Sequence, residues 1–426
     1  MSHLSDRVAN RILSSGARGM VLKNILYLLV TQIVNYILSL ITIKYLLMTI
    51  GVSNFGKIAF VQAFLSYFIV FIDYGFSISA TRDIARCHKD DRIAISRIFA
   101  STMTAKFILL IAGLLVYAGL VLLIPKFSAN KLTFLLFSGV LIGTCLFPQW
   151  YFQGIQKMEY ITWINILIKA VLLLLVFLFV KQGSDYVFVP LIYSLSYVLF
   201  GVYALLLALK HCSFRGNYDQ HTVLTAFRGG FPLFLSSAVS ILLNGSSIFI
   251  LGLIVADDVV GYYAGYDKLI RSCLMIFTPI TTAIYPHVSE TITENFSAGV
   301  KLIKKAAAFT LLLAMCLIIF LIALSDYIIP LIFTEAFLRF RGVLVILAAW
   351  MVFNVANNFI GIQYYTSIGK SKVYAQSLTA SGIITLGLMI YLTRLQSCYG
   401  TAVSILIGEV LLTAILLLRI NSLYDD

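Results

Sequence analysis

The chain has 426 residues, of which 61% are hydrophobic and only 12% charged. A soluble domain carries roughly 25% charged residues, and so much apolar mass would leave too little polar surface to face water. Its formal net charge is +13. No run of Lys and Arg interleaved with aromatics accompanies that charge, so a nucleic-acid partner is not expected, and the basic residues are read as anchors of membrane loops.

The N-terminal residues 1–23 carry Arg7, Arg11, Arg18 and Lys23 but no early apolar stretch. They are therefore read as a cytoplasmic arm rather than a cleaved signal. Leu4, Val8 and Ile12 recur at helical spacing and suit a membrane-surface helix.

Apolar runs then recur with polar breaks. The first six predicted spans are 24–47, 55–79, 99–124, 132–153, 160–180 and 187–209. The second six are 231–255, 262–286, 306–324, 343–366, 374–392 and 400–419. Helices of about 20 residues are the element that crosses lipid with its backbone satisfied. The fold class is thus all-α integral membrane, with about twelve transmembrane helices. The chain is divided into an N-lobe at 24–210, a linker at 211–230, a C-lobe at 231–420 and a cytoplasmic tail at 421–426. The longest polar loops, near 80–98, 210–228 and 287–305, hold about 20 residues each, too few for a soluble domain. No GxxxxGK[ST] phosphate loop is present.

About 19 of the 31 Lys and Arg fall in the N-terminal arm, the loops after even-numbered helices and the tail. About eight fall in the opposite loops. This asymmetry places both termini in the cytoplasm. A repeat at an offset of 205 residues relates Asn54-Phe55-Gly56-Lys57-Ile58-Ala59 to Val259-Val260-Gly261-Tyr262-Tyr263-Ala264. Two six-helix halves of like orientation follow, and such halves frame a central substrate path.

Ionisable residues inside apolar spans are costly and mark cavities or pairs. Asp73, Lys106, Lys169, Asp267, Lys268, Arg271 and Glu409 are of this kind, and Arg82 marks the end of the second helix. Neutral polar residues share faces with them: Gln32 with Asn35, Asn165 with Lys169, Ser240 with Asn244 and Ser247, and Asn354 with Asn357 and Asn358. Arg82, Lys106, Lys169, Lys268, Arg271, Asn35, Gln149, Asn244 and Asn357 are the substrate-binding candidates. Asp73, Asp267 and Glu409 are the candidates for ion or proton coupling. Simpler roles stay open: Asp267 and Arg271 pair across one turn, Lys106 snorkels to the headgroups, Glu409 neutralises a lysine, and the asparagines join helices. Four cations against three acids favour an anionic cargo such as a phosphate or diphosphate.

No catalytic constellation is visible, no His pair has metal spacing, and no cofactor is implied. The six cysteines are widely spaced and read as small core hydrophobes.

Three stretches resemble Wzx-type O-antigen flippases and related polysaccharide exporters. They are Asp73-Tyr74-Gly75-Phe76-Ser77-Ile78-Ser79-Ala80-Thr81-Arg82-Asp83-Ile84-Ala85, Pro148-Gln149-Trp150-Tyr151-Phe152-Gln153-Gly154-Ile155-Gln156-Lys157-Met158 and Gly261-Tyr262-Tyr263-Ala264-Gly265-Tyr266-Asp267-Lys268-Leu269-Ile270-Arg271. The resemblance implies the multidrug/oligosaccharidyl-lipid/polysaccharide exporter fold, two six-helix lobes around a central cavity. It further implies that the protein moves an undecaprenyl-diphosphate-linked oligosaccharide across the bacterial inner membrane by alternating access. The implied partners are that lipid carrier, membrane lipids, and the polysaccharide polymerase and chain-length machinery. An exporter of drugs or other small molecules and a sugar-chain polymerase are the alternatives.

Overall fold

A computed structural model describes residues 15–88, 91–210, 212 and 220–422, with the side chains of 15–31, 33, 244, 421 and 422 outside the description. The helical arm expected from Leu4, Val8 and Ile12, together with Lys89, Arg215 and the tail beyond Ser422, lies outside the described residues.

The described chain is helical throughout, in the order α1 Ser15–Asp73, α2 Phe76–Arg86, α3 Arg92–Leu123, α4 Pro125–Ser128, α5 Lys131–Leu146, α6 Gln149–Gly154, α7 Met158–Phe179 and α8 Phe188–Leu209. It continues as α9 Gln220–Asn244, α10 Ser247–Ile254, α11 Asp257–Leu274, α12 Thr278–Glu294, α13 Phe296–Ala323, α14 Ser325–Ile332, α15 Arg341–Asn357, a π-helix Asn358–Thr366 and α16 Ser371–Ser422. Among the described residues, ten stretches are long and apolar enough to span a membrane.

Two of these ten are too long for one crossing. At about 1.5 Å per residue, the 59 residues of α1 would reach about 90 Å, against a hydrocarbon core of about 30 Å. α1 is broken at Gly51 and the 52-residue α16 at Ser397. The second break is a hairpin, because Thr393 and Thr401 on either side of it meet hydroxyl to hydroxyl at 2.8 Å. Ten stretches with two divided in two give twelve spanning segments, the number the apolar runs predict.

Boundaries differ in one systematic way. α3 begins at Arg92 rather than 99, and α13 at Phe296 rather than 306. Hydropathy marks the stretch that suits lipid, whereas the backbone ladder continues to a cap. Asp91 Oδ1 accepts from Ala94 N at 2.9 Å, and Asn295 Oδ1 accepts from Ala298 N at 3.0 Å, each closing a helix N-terminus.

The chain forms two compact units, each discontinuous in sequence. Unit 1 takes Leu65–Val180 and Val187–Ala238 with the residues up to Thr42. Its closest helix pair is α5 with α8. Small residues allow that approach, with Gly139 against Ser194 and Gly143 against Tyr197. Phe99, Met103, Trp150, Ile164 and Ala208 belong to its buried core.

Unit 2 takes Ile43–Phe64, Lys181–Tyr186 and Val239–Asp426. Here the two repeated motifs meet. A side chain at Gly56 would run into the Asp257 carbonyl, and one at Gly261 into the Val52 carbonyl. The glycines of the 205-residue repeat thus face each other's helices, and a Cβ at either would force the backbones apart. Phe60 stacks on Phe249 at 5.7 Å in the same seam.

Candidate functional site

In unit 1 a broken helix creates the site. The second segment of α1 ends at Asp73, and the chain passes through Tyr74 at φ 49° and Gly75 at φ 75° before α2 begins. Two left-handed residues in succession end the helical ladder. Gly75 lies against Leu233 and Phe234 and has no room for a side chain. Tyr74 holds its unfavourable φ because its ring stacks on Phe234 at 4.8 Å and meets Phe227 edge-on at 5.4 Å.

The break opens on a cavity of about 250 Å³. Asp73 and Ser77 flank it across the break, Lys106 comes from α3, and Gln149, Trp150 and Gln153 from α6. Asn165 of α7 and Tyr197 of α8 complete the polar wall. Lys106 is 4% exposed, so it does not snorkel; its Nζ lies 4.0 Å from Asp73 Oδ1. The Asp73 side chain keeps 33% exposure, so the carboxylate, not the ammonium, faces the open space. Lys169 stands one turn along α7 from Asn165, and both side chains are half-buried.

Unit 2 arranges its charges differently. Arg271 Nε donates to both Asp267 oxygens, at 2.9 and 2.8 Å, across one turn of α11. The guanidinium also lies 5.2 Å from the centre of the Trp350 ring. Glu409 on the second segment of α16 is buried and accepts from Asn354 Nδ2 at 2.8 Å and from Asn357 Nδ2. Thr413 donates to Asn357 Oδ1 at 2.8 Å. The asparagine stripe therefore joins α15 to α16. The space beside Arg271 and Glu409 is about 30 Å³, the share of a single water. The π-helix follows directly, tied by Gln363 Nε2 to the Thr281 carbonyl at 2.8 Å and by the Tyr365 hydroxyl to the Leu416 carbonyl at 2.8 Å.

Of the candidates, Asp73, Lys106 and Gln149 share the unit 1 cavity. Asp267, Arg271, Glu409 and Asn357 fall in the unit 2 network. Lys268 stands apart, with Nζ 3.5 Å from Gln62 Oε1 and 5.6 Å over the Phe55 ring. Arg82 pairs with its neighbour Asp83 at 3.0 Å, both about half exposed. The Asn35 Oδ1 is buried without a hydrogen-bond partner. The Asn244 side chain lies outside the described residues. The structure adds Ser77, Trp150, Gln153 and Tyr197 to the cavity wall. Gln153 was recoverable, being four residues beyond Gln149 on one helical face. Nothing in the sequence singled out Tyr197. All six cysteines are free, and Cys145, Cys212, Cys273 and Cys398 are buried.

Twelve spanning segments with charge held inside them define a multi-pass membrane protein, and the fold is one found among transporters. The inward closed conformation of the lipid II flippase MurJ superimposes with a TM-score of 0.74 at 15% identity, over 93% of this chain and 87% of that one. An inward-facing multidrug resistance MATE family transporter of the MOP superfamily does so at 0.69 and 13% identity, over 95% and 96%. The chain belongs to the polysaccharide biosynthesis protein family, whose profile matches residues 21–292. A relative from Escherichia coli (strain K12), named "Putative O-antigen transporter", is 30% identical over 402 residues, 94% of this chain and 96% of that one. A relative of the same name from Shigella dysenteriae is 26% identical over 287 residues, covering 66% and 70%.

Proposed function

We propose that this protein is a flippase moving undecaprenyl-diphosphate-linked O-antigen, or a related polysaccharide repeat unit, from the cytoplasmic to the periplasmic leaflet of the bacterial inner membrane. The observation that carries this reading is the alignment, along 94% of the chain, with the Escherichia coli relative named "Putative O-antigen transporter". The unit 1 cavity supports it, since buried polar groups beside a broken helix are where membrane carriers hold cargo. Residues 24–210 and 231–420 act as the working halves, and the carrier opens its cavity to one side of the membrane and then the other.

The site residues follow from how each charge is committed. Arg271 is held by Asp267, and Lys106 faces Asp73. Lys169 is in no ion pair among the described residues, which makes it the leading cation for the diphosphate. A charge crossing 100 mV gains or loses about 2.3 kcal/mol, so the membrane potential biases export of an anionic cargo. Both termini face the cytoplasm in this reading, where the cargo is loaded, and the periplasmic polymerase and chain-length machinery receive it.

Deletion of the gene tests the function. Lipid-linked repeat units should accumulate on the cytoplasmic leaflet while surface polysaccharide disappears. Sensitivity to cationic drugs with intact surface polysaccharide would replace this reading with a multidrug exporter. A phosphatase fused after Asp426 should be inactive and one fused near Ala129 active; the reverse would discard the orientation.

A further inference from the structure

We propose that the unit 1 cavity binds a neutral sugar ring of the cargo and excludes its diphosphate. The assignment deepens the flippase reading and takes from it the nature of the cargo.

The wall is built of groups whose hydrogen-bonding capacities can be counted one by one. Asp73 presents a carboxylate, which only accepts. Asn165 gives one Nδ2 hydrogen to the Ile161 carbonyl at 2.9 Å and keeps its second N–H and its Oδ1, a donor and an acceptor. The single Thr81 hydroxyl hydrogen has the Ser77 carbonyl at 2.7 Å, nearer than Gln153 Oε1 at 3.4 Å, so Gln153 keeps both its oxygen and its NH₂ group for a ligand. Gln149 is exposed and offers both kinds of group, as does the Tyr197 hydroxyl. Donors and acceptors are thus both present in the wall. A sugar hydroxyl both donates and accepts, so it meets either kind. Phosphate oxygens at neutral pH only accept, so the Asp73 carboxylate, which has no hydrogen to offer, would face them with nothing to share.

Charge points the same way. Lys106 is the one ammonium among the lining residues, and it is 4% exposed and turned to Asp73. The pair sums to zero, while the more exposed member, Asp73, repels an anion that enters. Lys106 thereby becomes a positioning residue that holds the Asp73 side chain at the cavity wall. The rest of the lining is mostly apolar, with Phe147 available to the C–H face of a ring and the buried Trp150 beside the space. The volume of about 250 Å³ is that of roughly eight waters, the scale of one six-membered ring. Lys169, a turn away on α7, is then placed to meet the charge that follows the sugar.

The test uses the full chain in lipid nanodiscs, with Trp163→Phe and Trp350→Phe so that Trp150 alone reports by fluorescence. The probes are glucose, galactose, mannose, N-acetylglucosamine, N-acetylgalactosamine and inorganic pyrophosphate. At least one neutral sugar should shift the emission saturably at millimolar concentration, and pyrophosphate should not. Gln149→Ala and Asn165→Ala should each weaken the apparent sugar affinity about tenfold, the worth of one hydrogen bond at the strong end of its range. Saturation-transfer NMR of the sugars on the unsubstituted chain, with and without pyrophosphate as competitor, repeats the comparison should the tryptophan variants fold poorly; pyrophosphate should not displace the sugar. A saturable pyrophosphate response, or silence from every sugar, overturns the assignment. The leaflet assay judges the flippase reading separately, because its failure would leave these binding results as they stand.

Discussion

The two units bury similar charges and commit them differently. In unit 1, Asp73 and Lys106 stand 4.0 Å apart beside a cavity of about 250 Å³. In unit 2, Arg271 makes two hydrogen bonds to Asp267, Glu409 accepts from two asparagines, and the adjoining space is about 30 Å³. Sequence separation explains the contrast. Asp267 and Arg271 are four apart on one helix and satisfy each other before any tertiary packing. Asp73 and Lys106 sit on separate helices, with the Tyr74–Gly75 break between the carboxylate and the helix that follows it. Counting intramembrane cations therefore overstates the cationic surface offered to a cargo. Arg271 adds to the count and is already held; its pairing is the simpler of the two roles its spacing allows.

The largest effect should come from breaking the unit 2 pair. Asp267→Asn leaves the guanidinium without its counter-charge. Losing one partner of a buried pair costs about 3–5 kcal/mol, and the lower end applies because the Arg271 side chain keeps 35% exposure. Membrane abundance and the unfolding midpoint in detergent should fall for Asp267→Asn and for Arg271→Gln alone. The double variant should recover most of the loss, since it leaves no stranded charge. Abundance that is equal in wild type, singles and double would show that the pair is not structural, and the contrast between the units would fail.

What the sequence made legible follows the same division between local and distant. The twelve segments, the Asp267–Arg271 spacing and the Asn354–Asn357 face are all local periodicities, and the structure contains each. The partner of that face was not legible, because Glu409 lies more than fifty residues along the chain and arrives through the Ser397 hairpin. The Tyr74–Gly75 break was hidden inside the apolar run 55–79, since tyrosine carries no signal for a left-handed conformation. Only the aromatic neighbours from α9 account for it. Gly75 was the one visible hint, and a lone glycine in an apolar helix is ordinary in membranes. Among the cavity residues, the Gln149-Trp150-Tyr151 motif was read as a pattern, but its meeting with Asp73 and Lys106 is a property of the fold.

A smaller effect sharpens the cavity side of the comparison. Lys169→Gln keeps length and hydrogen bonding but removes charge. Because Lys169 is in no ion pair among the described residues, its loss strands no counter-charge there and abundance should stay near wild type. Export should fall about tenfold or more if the ammonium holds the diphosphate, since hydrogen bonds to charged groups contribute about 1.5–3 kcal/mol. Lys169→Arg should keep part of the activity. Full export by Lys169→Gln, measured as surface polysaccharide at matched abundance, would remove this residue from the cargo path.

The smallest effect is expected at Arg82. Its partner is the next residue, Asp83, and the two side chains are 48% and 45% exposed. An exposed pair contributes roughly 0–1 kcal/mol, so Arg82→Gln should leave abundance unchanged. Arg82 also does not line the 250 Å³ cavity, although Ser77, five residues earlier on the same helix, does. Any contribution to export must then come from attracting the anionic cargo before it is bound. Such attraction acts on the rate of capture and weakens with ionic strength, because charges in contact with solvent are screened over about 8–10 Å. The expected result for Arg82→Gln is a modest slowing, about twofold to threefold, that fades as salt is raised in a vesicle transport assay. Loss of export as complete as that of Lys169→Gln, and insensitive to salt, would instead put Arg82 in direct contact with the diphosphate. The anion site would then lie at the end of α2, and not at Lys169 on α7, a turn beyond the cavity wall.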